Sequence, residues 1–539
     1  MIPRACRSWL LAVALAGTAM AQTIFFPLPA RLVGHTSLSP RSSSPNLVEG
    51  RELYSPQCAA LDFSSTPPAL YVADTGNNRV LGWRNAAQFG NGAYADIVIG
   101  QPDRITTLAG ASRTNLNSPV AVVVDAEGNL YVADAGNNRI LRFPKPFQQL
   151  DRGRTPIEAD MVLGQADFSS NRANRGGAPA ANTIALSTTA GTFRAGLVFD
   201  GTGNLWFSDA ANHRVLRYPA DALRAGAPGP DADLVLGQSQ FTTNTALAET
   251  SGNRVVKTGM RYPSGLALDP GGRLYVADAL SRVLVFAPPF ASGMSAARIM
   301  GVVVVPQGQQ PPPAVNDTGL NRPEGIFMLG RNPGVVDTGN NRLLLFARYE
   351  DWPPEATKFS PTAQAVIGQP DMNTGRAAAG AAGLNAPVHA VFSGTELFIV
   401  DSGNHRVVVW PQPFSGATRV LGQISFDYNA ANLIEGRELY LTPGTIGPFA
   451  GSVALDTTSS PPRLYIADTF NNRILGFRDA FRVKPGDFAD IVIGQPDRFR
   501  STVNYPSGDA RITTRSSLFW PTALAVDSAG NLWVADSGN

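Results

Sequence analysis

Residues 70–81 read LYVADTGNNRVL, and this stretch decides the fold because the chain repeats it. Its Asp74 has counterparts at intervals of 59 to 75 residues along the chain. These counterparts are Asp134, Asp209, Asp278, Asp337, Asp401, Asp468 and Asp536. Repetition at a nearly regular interval indicates stacked or radially arranged units that cannot bury their apolar faces alone. The 539 residues are therefore interpreted as an array of eight repeats.

Each repeat predicts four short strands. In the second repeat they are 120–125, 129–134, 139–143 and 160–164. The strands are rich in β-branched and aromatic residues and are separated by Gly, Asn and Asp turns, which is typical of a β-meander. Because they are apolar on both faces, we expect each sheet to lie between neighbouring sheets. Four-stranded sheets that recur radially predict an all-β fold, the β-propeller.

Four copies of the motif carry a recognisable pattern. They read ADTGNNRV (73–80), ADAGNNRI (133–140), VDSGNHRV (400–407) and ADTFNNRI (467–474), and they resemble the signature of secreted bacterial NHL-repeat proteins. The resemblance covers nearly the whole chain and implies a six-bladed β-propeller of four-stranded antiparallel blades. Two copies depart from the pattern. The fourth is one residue short between Asp278 and Arg282, and the fifth has Leu329 where most first strands end in Asp.

The chain also contains a second, longer sequence repeat that spans several copies of the short motif. RLVG at 31–34 has its counterpart in RVLG at 419–422, EGRELY occurs at 49–54 and 435–440, and IGQPDR occurs at 99–104 and 493–498, so the offset is 386 to 394 residues. Six short motifs lie between the two starts. This predicts a complete six-bladed propeller over 22–417, followed by the first blades of a second propeller over 418–539. The alternative is a single eight-bladed ring in which residues 31–34 add an outer strand to the last blade.

The two ends of the chain carry separate expectations. Arg4, Arg7, the apolar stretch 9–16 and the small residues Ala19 and Ala21 predict a signal peptide over 1–21, cleaved near Ala21. We therefore expect a secreted, periplasmic or cell-surface protein, with no membrane span in the chain, since the apolar stretch is too short. At the other end the eighth motif stops at Asn539 before its Arg, so we expect a truncated sequence.

The charge balance argues against a nucleic-acid-binding protein, and the cysteine content argues against a disulfide-stabilised one. The chain has 44 basic and 42 acidic residues, and the predicted cleavage leaves 42 of each. No basic footprint for a nucleic acid is visible, so no nucleic-acid partner is expected. The same cleavage leaves Cys58 as the one cysteine, so no internal disulfide is expected.

Most polar residues of the motif have a structural interpretation. The repeated Asp can accept backbone N–H bonds in its turn, and the Arg that follows can reach it. His213 and His405 stand where other copies have Asn, so they are interpreted as turn variants.

Two groups of residues are candidates for metal binding. Cys58 and His389 occupy one channel-facing position of the first strands, where other copies have mostly Gly or Ala, and a ring that closes at six blades would bring them together. A Cys–His pair can be half of a metal site. The second group ends first strands and offers carboxylates to a cation such as Ca²⁺. These residues are Asp62, Asp125, Asp200 and Asp269. No other cofactor is expected, and no catalytic residue is assigned.

Long connections are the remaining functional feature. They span 104–118, 168–190, 241–260 and 424–448 and emerge on the same side as the repeated Asp turns. Because long loops on a rigid scaffold tend to carry function, we expect a binding or scaffolding module for a protein, peptide or glycan. The alternatives are a metal-dependent lyase or lactonase-like hydrolase, which similar propellers include, and the sensor ectodomain of a larger protein. The small residues of the channel disfavour the enzyme.

Overall fold

The computed structural model describes residues 42, 44–305, 308–441 and 451–539. The predicted signal peptide and residues 31–34 lie outside these described residues. Among these residues, seven four-stranded antiparallel sheets in simple meander order are followed by a two-stranded sheet, and a further two-stranded hairpin lies in one connection. We number the sheets 1 to 8 and leave the hairpin out of this numbering.

The strands of the first four sheets have the following bounds. Sheet 1 comprises Cys58–Asp62, Ala69–Asp74, Arg79–Trp83 and Ile97–Ile99. Sheet 2 comprises Pro119–Val124, Leu130–Asp134, Arg139–Phe143 and Met161–Leu163. Sheet 3 comprises Leu197–Phe199, Leu205–Asp209, Arg214–Tyr218 and Leu234–Leu236. Sheet 4 comprises Leu266–Leu268, Leu274–Asp278, Arg282–Phe286 and Arg298–Met300.

The remaining sheets continue the series. Sheet 5 comprises Gly325–Leu329, Asn332–Asp337, Arg342–Phe346 and Ala363–Ile367. Sheet 6 comprises Pro387–Ser393, Glu396–Asp401, Arg406–Pro411 and Arg419–Leu421. Sheet 7 comprises Val453–Asp456, Arg463–Asp468, Arg473–Phe477 and Ile491–Ile493. Sheet 8 comprises Pro521–Val526 and Leu532–Asp536.

In the described part of the chain, helices occur in the connections between strands. Two short α-helices, Pro146–Asp151 and Ala220–Ala225, join third to fourth strands in sheets 2 and 3. A two-stranded hairpin, Ser187–Thr188 with Gly191–Thr192, precedes sheet 3. The 3₁₀ turns are Thr75–Asn77, Ala135–Asn137, Ala173–Gly176, Ala210–Asn212, Ser251–Val255, Thr338–Asn340, Tyr349–Asp351, Ser402–Asn404 and Thr469–Asn471. No helix among the described residues is long and apolar enough to cross a bilayer.

The first strands of six sheets contact one another in a closed cycle. Each first strand from sheet 1 to sheet 6 contacts the next, and the first strand of sheet 6 contacts that of sheet 1. The core follows the same cycle, because Leu61 and Val72 of sheet 1 share a buried cluster with Val388 and Phe398 of sheet 6. This radial arrangement of meander sheets is a β-propeller.

A repeated contact accompanies each junction of the cycle. The glycine after a fourth strand takes a positive φ and lies under an apolar side chain of the next repeat. The pairs along the chain are Gly100 with Leu116, Gly164 with Ile184, Gly237 with Met260, Gly301 with Leu320 and Gly368 with Leu384. At Gly422, which follows sheet 6, the apolar side chain is Leu53, which precedes sheet 1. The sixth junction is therefore built like the other five.

The boundary predicted at residue 417 cuts through a sheet. Arg419–Leu421 pairs with Arg406–Pro411 as the fourth strand of sheet 6. The sequence comparison had assigned 419–422 to the start of the second unit, because it matches 31–34. The structure instead completes sheet 6 at Leu421, and sheets 7 and 8 follow it.

The predicted strands of the second repeat agree with the structure to within one residue at each end. Of the four, 139–143 has the predicted bounds, and the others begin or end one residue earlier or later. The prediction succeeds because Gly128 and Asn138 adopt the left-handed φ values, 88° and 51°, that such turns favour.

Candidate functional site

The Asp–Arg pair of the motif is buried and structural, as predicted. In sheet 1 the carboxylate of Asp74 accepts hydrogen bonds from Arg79 Nε at 2.7 Å, Asn77 Nδ2 at 2.8 Å and the backbone N–H of Tyr54 at 2.8 Å. Both side chains of the pair are fully buried. The same pair recurs as Asp134–Arg139, Asp209–Arg214, Asp278–Arg282, Asp337–Arg342, Asp401–Arg406 and Asp468–Arg473. Each pair fixes its own turn and the preceding connection.

The residue after the turn links neighbouring sheets. Asn78 Oδ1 accepts the backbone N–H of Ser118, which precedes the first strand of the next sheet, at 2.7 Å. His213 and His405 make this bond through Nδ1, to Tyr262 at 3.1 Å and to Ser55 at 3.0 Å. Burial lowers the pKa of both histidines to about 4, so Nδ1 stays free to accept at neutral pH. Their interpretation as turn variants is confirmed, and the bond at Ser55 joins sheet 6 to sheet 1.

The Asp residues that end first strands lie in separate turns. Asp125 accepts the backbone N–H groups of Glu127 and Asn129, and Asp200 binds Thr202, Asn204 and the indole N–H of Trp206. Asp269 pairs with Arg273 at 2.7 Å, and Asp62 accepts the backbone N–H of Ser64. These carboxylates therefore serve the turns between first and second strands.

Cys58 and His389 line one small cavity in the channel. The cavity measures about 20 Å³, and all six sheets of the cycle or the residues just before them contribute to its wall. The Cys58 thiol donates to the carbonyl of Val122 at 3.6 Å, and burial raises its pKa to about 12. Burial lowers the pKa of His389 to about 4, and its Nδ1 has no hydrogen-bond partner among the described residues.

The metal candidates are not brought into one group. Cys58 begins the first strand of sheet 1 and Asp62 ends it, so the two groups lie at opposite ends of the channel wall. No three His, Cys, Asp or Glu side chains in the described part of the chain are placed to hold a metal ion.

Close packing explains the small residues of the channel. A Cβ at Gly196, Gly265 or Gly325 would lie 2.4–2.6 Å from a carbonyl oxygen of the next sheet, so these positions admit only glycine. At Cys58 and His389 the channel wall leaves room for a side chain. At this level of the channel, side chains are therefore excluded from the first strands of sheets 3 to 5 and accommodated in those of sheets 1 and 6.

One cavity of the loop-bearing face was not predicted from the sequence. We use this name for the face that carries the repeated Asp turns and the connections between successive sheets. The cavity measures about 390 Å³ and lies where the connections into sheets 3, 4 and 5 meet. Its charged lining residues are Arg194, Glu249, Arg261, Arg322 and Glu324. We call it the mouth cavity.

Aromatic rings form one wall of the mouth cavity. Phe193 and Tyr262 stack with ring centroids 4.5 Å apart and an interplanar angle of 9°. His213 meets the other side of Tyr262 edge-on at 4.5 Å, and Arg261 lies over the same ring at 5.1 Å. The wall is held in place because the backbone N–H of Tyr262 is bonded to His213.

The charges of the mouth cavity are only partly paired. Arg194 Nη1 lies 3.5 Å from Glu324 Oε1, and this buried nitrogen donates no hydrogen bond to any residue that the structure describes. Arg261 lies 3.9 Å from Glu249 and donates to the carbonyl of Leu247. Arg322 is exposed, and its guanidinium has no hydrogen-bond or ion-pair partner among the described residues. Guanidinium donors therefore remain available on this surface.

One sequence signal pointed towards the mouth cavity. The interval from Asp134 to Asp209 is the longest in the chain, at 75 residues, and it contains the hairpin 187–192 that brings Phe193 and Arg194 to the cavity. In several sheets one residue of the segment that leads into the first strand has a left-handed φ. At this position sheets 1, 2 and 6 have Ser55, Ser118 and Ala386, whereas sheets 4 and 5 have Tyr262 and Arg322.

Comparison with known proteins agrees with the fold. Residues 116–143, which span the first three strands of sheet 2, match the family model described as NHL repeat. The same motif recurs in the other sheets, and the sheets form a propeller. Sheet 2 therefore contains an NHL repeat, and the chain is a β-propeller whose other sheets repeat the same motif, as the resemblance of the motifs implied. No curated protein gives a significant match to the chain.

Solved structures with similar architecture are distant in sequence. Virginiamycin B lyase from Staphylococcus aureus is 11% identical, with 67% of this chain and 82% of that chain covered and a TM-score of 0.34. A streptogramin B lyase structure is 9% identical over 90% of this chain and 94% of that chain, with a TM-score of 0.36. A nidogen/laminin complex is 13% identical over 58% and 79%, with a TM-score of 0.31. These similarities concern the fold alone.

Proposed function

We propose that this protein is an exported binding module whose ligand, a protein, peptide or glycan, docks on the loop-bearing face with the mouth cavity at its centre. The observation that carries this proposal is the mouth cavity itself, in which three only partly paired guanidinium groups lie beside a fixed aromatic wall. A propeller fold is compatible with a binding module or with an enzyme, so the choice rests on the chemistry of the side chains.

The charged groups favour a ligand that carries a carboxylate. Three arginines and two glutamates line the mouth cavity, which leaves one positive charge in excess. Arg322 is unpaired and Arg194 has a buried nitrogen without an acceptor. Guanidinium groups bind carboxylates through charge-assisted and often bidentate hydrogen bonds. An acidic side chain of a protein or a uronic acid of a glycan would supply the acceptor.

The aromatic wall supplies apolar contact at low entropic cost. Phe193 and Tyr262 are already stacked, and Tyr262 is fixed by its neighbours His213 and Arg261. Rings that are ordered before binding lose little freedom when a ligand covers them, so more of the contact energy appears as affinity. Peptide side chains and sugar rings both present the apolar surface that such a wall can contact.

The channel residues favour binding over catalysis. The Cys58 thiol has a pKa of about 12 and donates to a carbonyl, so it is protonated at neutral pH and is not an activated nucleophile. No hydrogen-bonded acid orients His389 among the described residues, whereas a catalytic base needs such a partner.

Arrays of peptides and glycans probed with the full chain and with Arg322→Ala test the proposal. We expect carboxylate-bearing members to bind the full chain and to bind the variant about tenfold more weakly, since a hydrogen bond to a charged group contributes about 1.5–3 kcal/mol. Arg152→Ala is the matched control, because it removes an equally exposed arginine from the opposite face. Binding that is absent from the arrays, or that both variants weaken equally, would contradict the proposal.

A further inference from the structure

The two copies of the EGRELY segment contact each other. The first copy precedes sheet 1 and the second precedes sheet 7, 386 residues later. Leu47 and Leu433, which are equivalent positions in the two copies, form an antiparallel β-bridge. We call residues 45–54 and 431–440 the pairing segments.

Amide side chains exchange hydrogen bonds across the pairing segments. Asn46 Nδ2 donates to the carbonyl of Ala431 at 2.9 Å, and Asn432 Nδ2 donates to the carbonyl of Pro45 at 2.7 Å. The turn asparagines of sheets 1 and 7 complete the exchange. Asn77 donates to Asn432 Oδ1 and Asn471 donates to Asn46 Oδ1, each at 2.8 Å. Asn46 and Asn432 are both buried, with φ values of 62° and 58°.

Charged side chains repeat the exchange at the rim. Arg51 Nη2 lies 2.7 Å from Glu435 Oε1, and Arg437 Nη2 lies 3.0 Å from Glu49 Oε2. All four side chains are between 14% and 21% exposed, so the pairs are shielded but reachable by solvent. Two arginines and two glutamates thus alternate in one four-residue cluster, which is the centre of the contact between the pairing segments.

Each pairing segment is ordered by its own sheet. Glu52 accepts the backbone N–H groups of Glu49 and Gly50 and pairs with Arg79 at 3.0 Å. Glu438 makes the same contacts with Glu435, Gly436 and Arg473, the last at 2.9 Å. The contact surfaces are therefore formed before they meet, which lowers the entropic cost of pairing.

The amide hydrogen bonds and the ion pairs that join the pairing segments each occur twice with the roles exchanged, whereas the backbone N–H of Asn432 donates to the carbonyl of Leu53 at 3.0 Å without a counterpart among the described residues. A residue on one surface contacts its partner, and the equivalent partner contacts the equivalent residue, which is the definition of an isologous two-fold interface. We propose that the pairing segment is a homotypic recognition element whose fitting partner is a second copy of itself. Within one chain, the contact between the two pairing segments joins sheet 1 to sheet 7. When this internal contact is prevented, the pairing segments of one chain bind those of a second chain.

Charge-exchange variants of the full chain test this. An acidic chain, R51E/R437E, places four glutamates at the centre, and a basic chain, E49R/E435R, places four arginines there. Neither can pair with itself, but the two are complementary. We expect each alone to have the mass of one chain, and their mixture to form a 1:1 complex in size-exclusion chromatography with light scattering, weakened by salt. The control E49R/R51E/E435R/R437E restores alternation and should remain a single chain.

A mixture that forms no complex while both chains are folded by circular dichroism would overturn the proposal. Limited proteolysis gives a second readout, since we expect the acidic chain, which cannot pair internally, to be cleaved faster than the control chain; equal rates of cleavage would also overturn the proposal. Should a charge variant fail to fold, Leu47→Cys with Leu433→Cys decides the question. Paired residues of an antiparallel bridge lie within disulfide range, so we expect an intrachain disulfide, and its absence under oxidising conditions would refute the pairing. These readouts involve sheets 1 and 7, so they are independent of ligand binding at sheets 3 to 5.

Discussion

Sheets 1 and 7 are built from the same motif but bury it differently. Ala59 and Leu61 in the first strand of sheet 1 are 1% and 6% exposed, because sheet 6 covers them. Their equivalents in sheet 7, Val453 and Leu455, are 63% and 49% exposed. In both sheets the Asp–Arg pair is fully buried. The motif therefore determines the hydrogen-bonded sheet, whereas burial of its apolar faces depends on the neighbouring sheets.

A matched pair of core substitutions gives the largest expected contrast. Leu61→Ala should lower the free energy of unfolding by about 2–5 kcal/mol, since it leaves a cavity between sheets 1 and 6. Leu455→Ala removes the same atoms from an exposed position and should change it by no more than about 0.5 kcal/mol. Urea unfolding of the two variants followed by tryptophan fluorescence measures both. Equal losses would mean that sheet 7 is covered as fully as sheet 1.

Acid should weaken the junction between sheets 6 and 1 more than the junction between sheets 7 and 8. His405 joins sheets 6 and 1, and Asn472 joins sheets 7 and 8 through the backbone N–H of Trp520. The folded-state pKa of His405, about 4, lies below the usual value near 6.5. Its contribution is therefore complete above pH 6.5 and is lost as the pH falls towards 4, by about 1–3 kcal/mol.

Substitution of His405 sharpens this second comparison. His405→Asn restores the residue found at most other junctions and should flatten the stability profile between pH 7 and pH 4.5. His213→Asn should do the same at the junction of sheets 3 and 4, where the pKa is also about 4. Thermal unfolding of each variant across this range provides the test. A profile that neither variant changes would show that these histidines do not cause the acid sensitivity.

The sequence predicted the parts of the fold that are local. The strands of sheet 2, the turn at Asp74 and the substitution of Asn by His405 all follow from residues close together in the chain, and the structure agrees with them. The boundary at residue 417 was misplaced because residues 419–422 resemble residues 31–34, near the start of the first unit. The sequence pattern therefore assigned them to the start of a second unit, although they form the fourth strand of sheet 6. The signal peptide over 1–21 stays a prediction, because it lies outside the described residues.

The candidate site was less predictable because it depends on contacts between repeats. Cys58 and His389 do line one cavity, but the thiol points to the carbonyl of Val122, which no sequence pattern indicates. The mouth cavity is lined by Arg194, Tyr262 and Arg322, which come from three different repeats. The long interval before Asp209 was the one sequence feature that singled out this region. Ca²⁺ binding by the strand-end Asp residues stays a prediction, although each of them already serves its own turn.

The closing contact between sheets 6 and 1 is the central claim, and amide hydrogen exchange tests it most directly. Val72 and Leu81 in sheet 1 and their equivalents Ile466 and Leu475 in sheet 7 have comparable strand hydrogen bonds. Because sheet 1 is covered on both faces, its amides should exchange only through global unfolding, and those of sheet 7 should exchange at least tenfold faster through local opening. Equal protection of the two sheets would contradict a ring that closes between sheets 6 and 1.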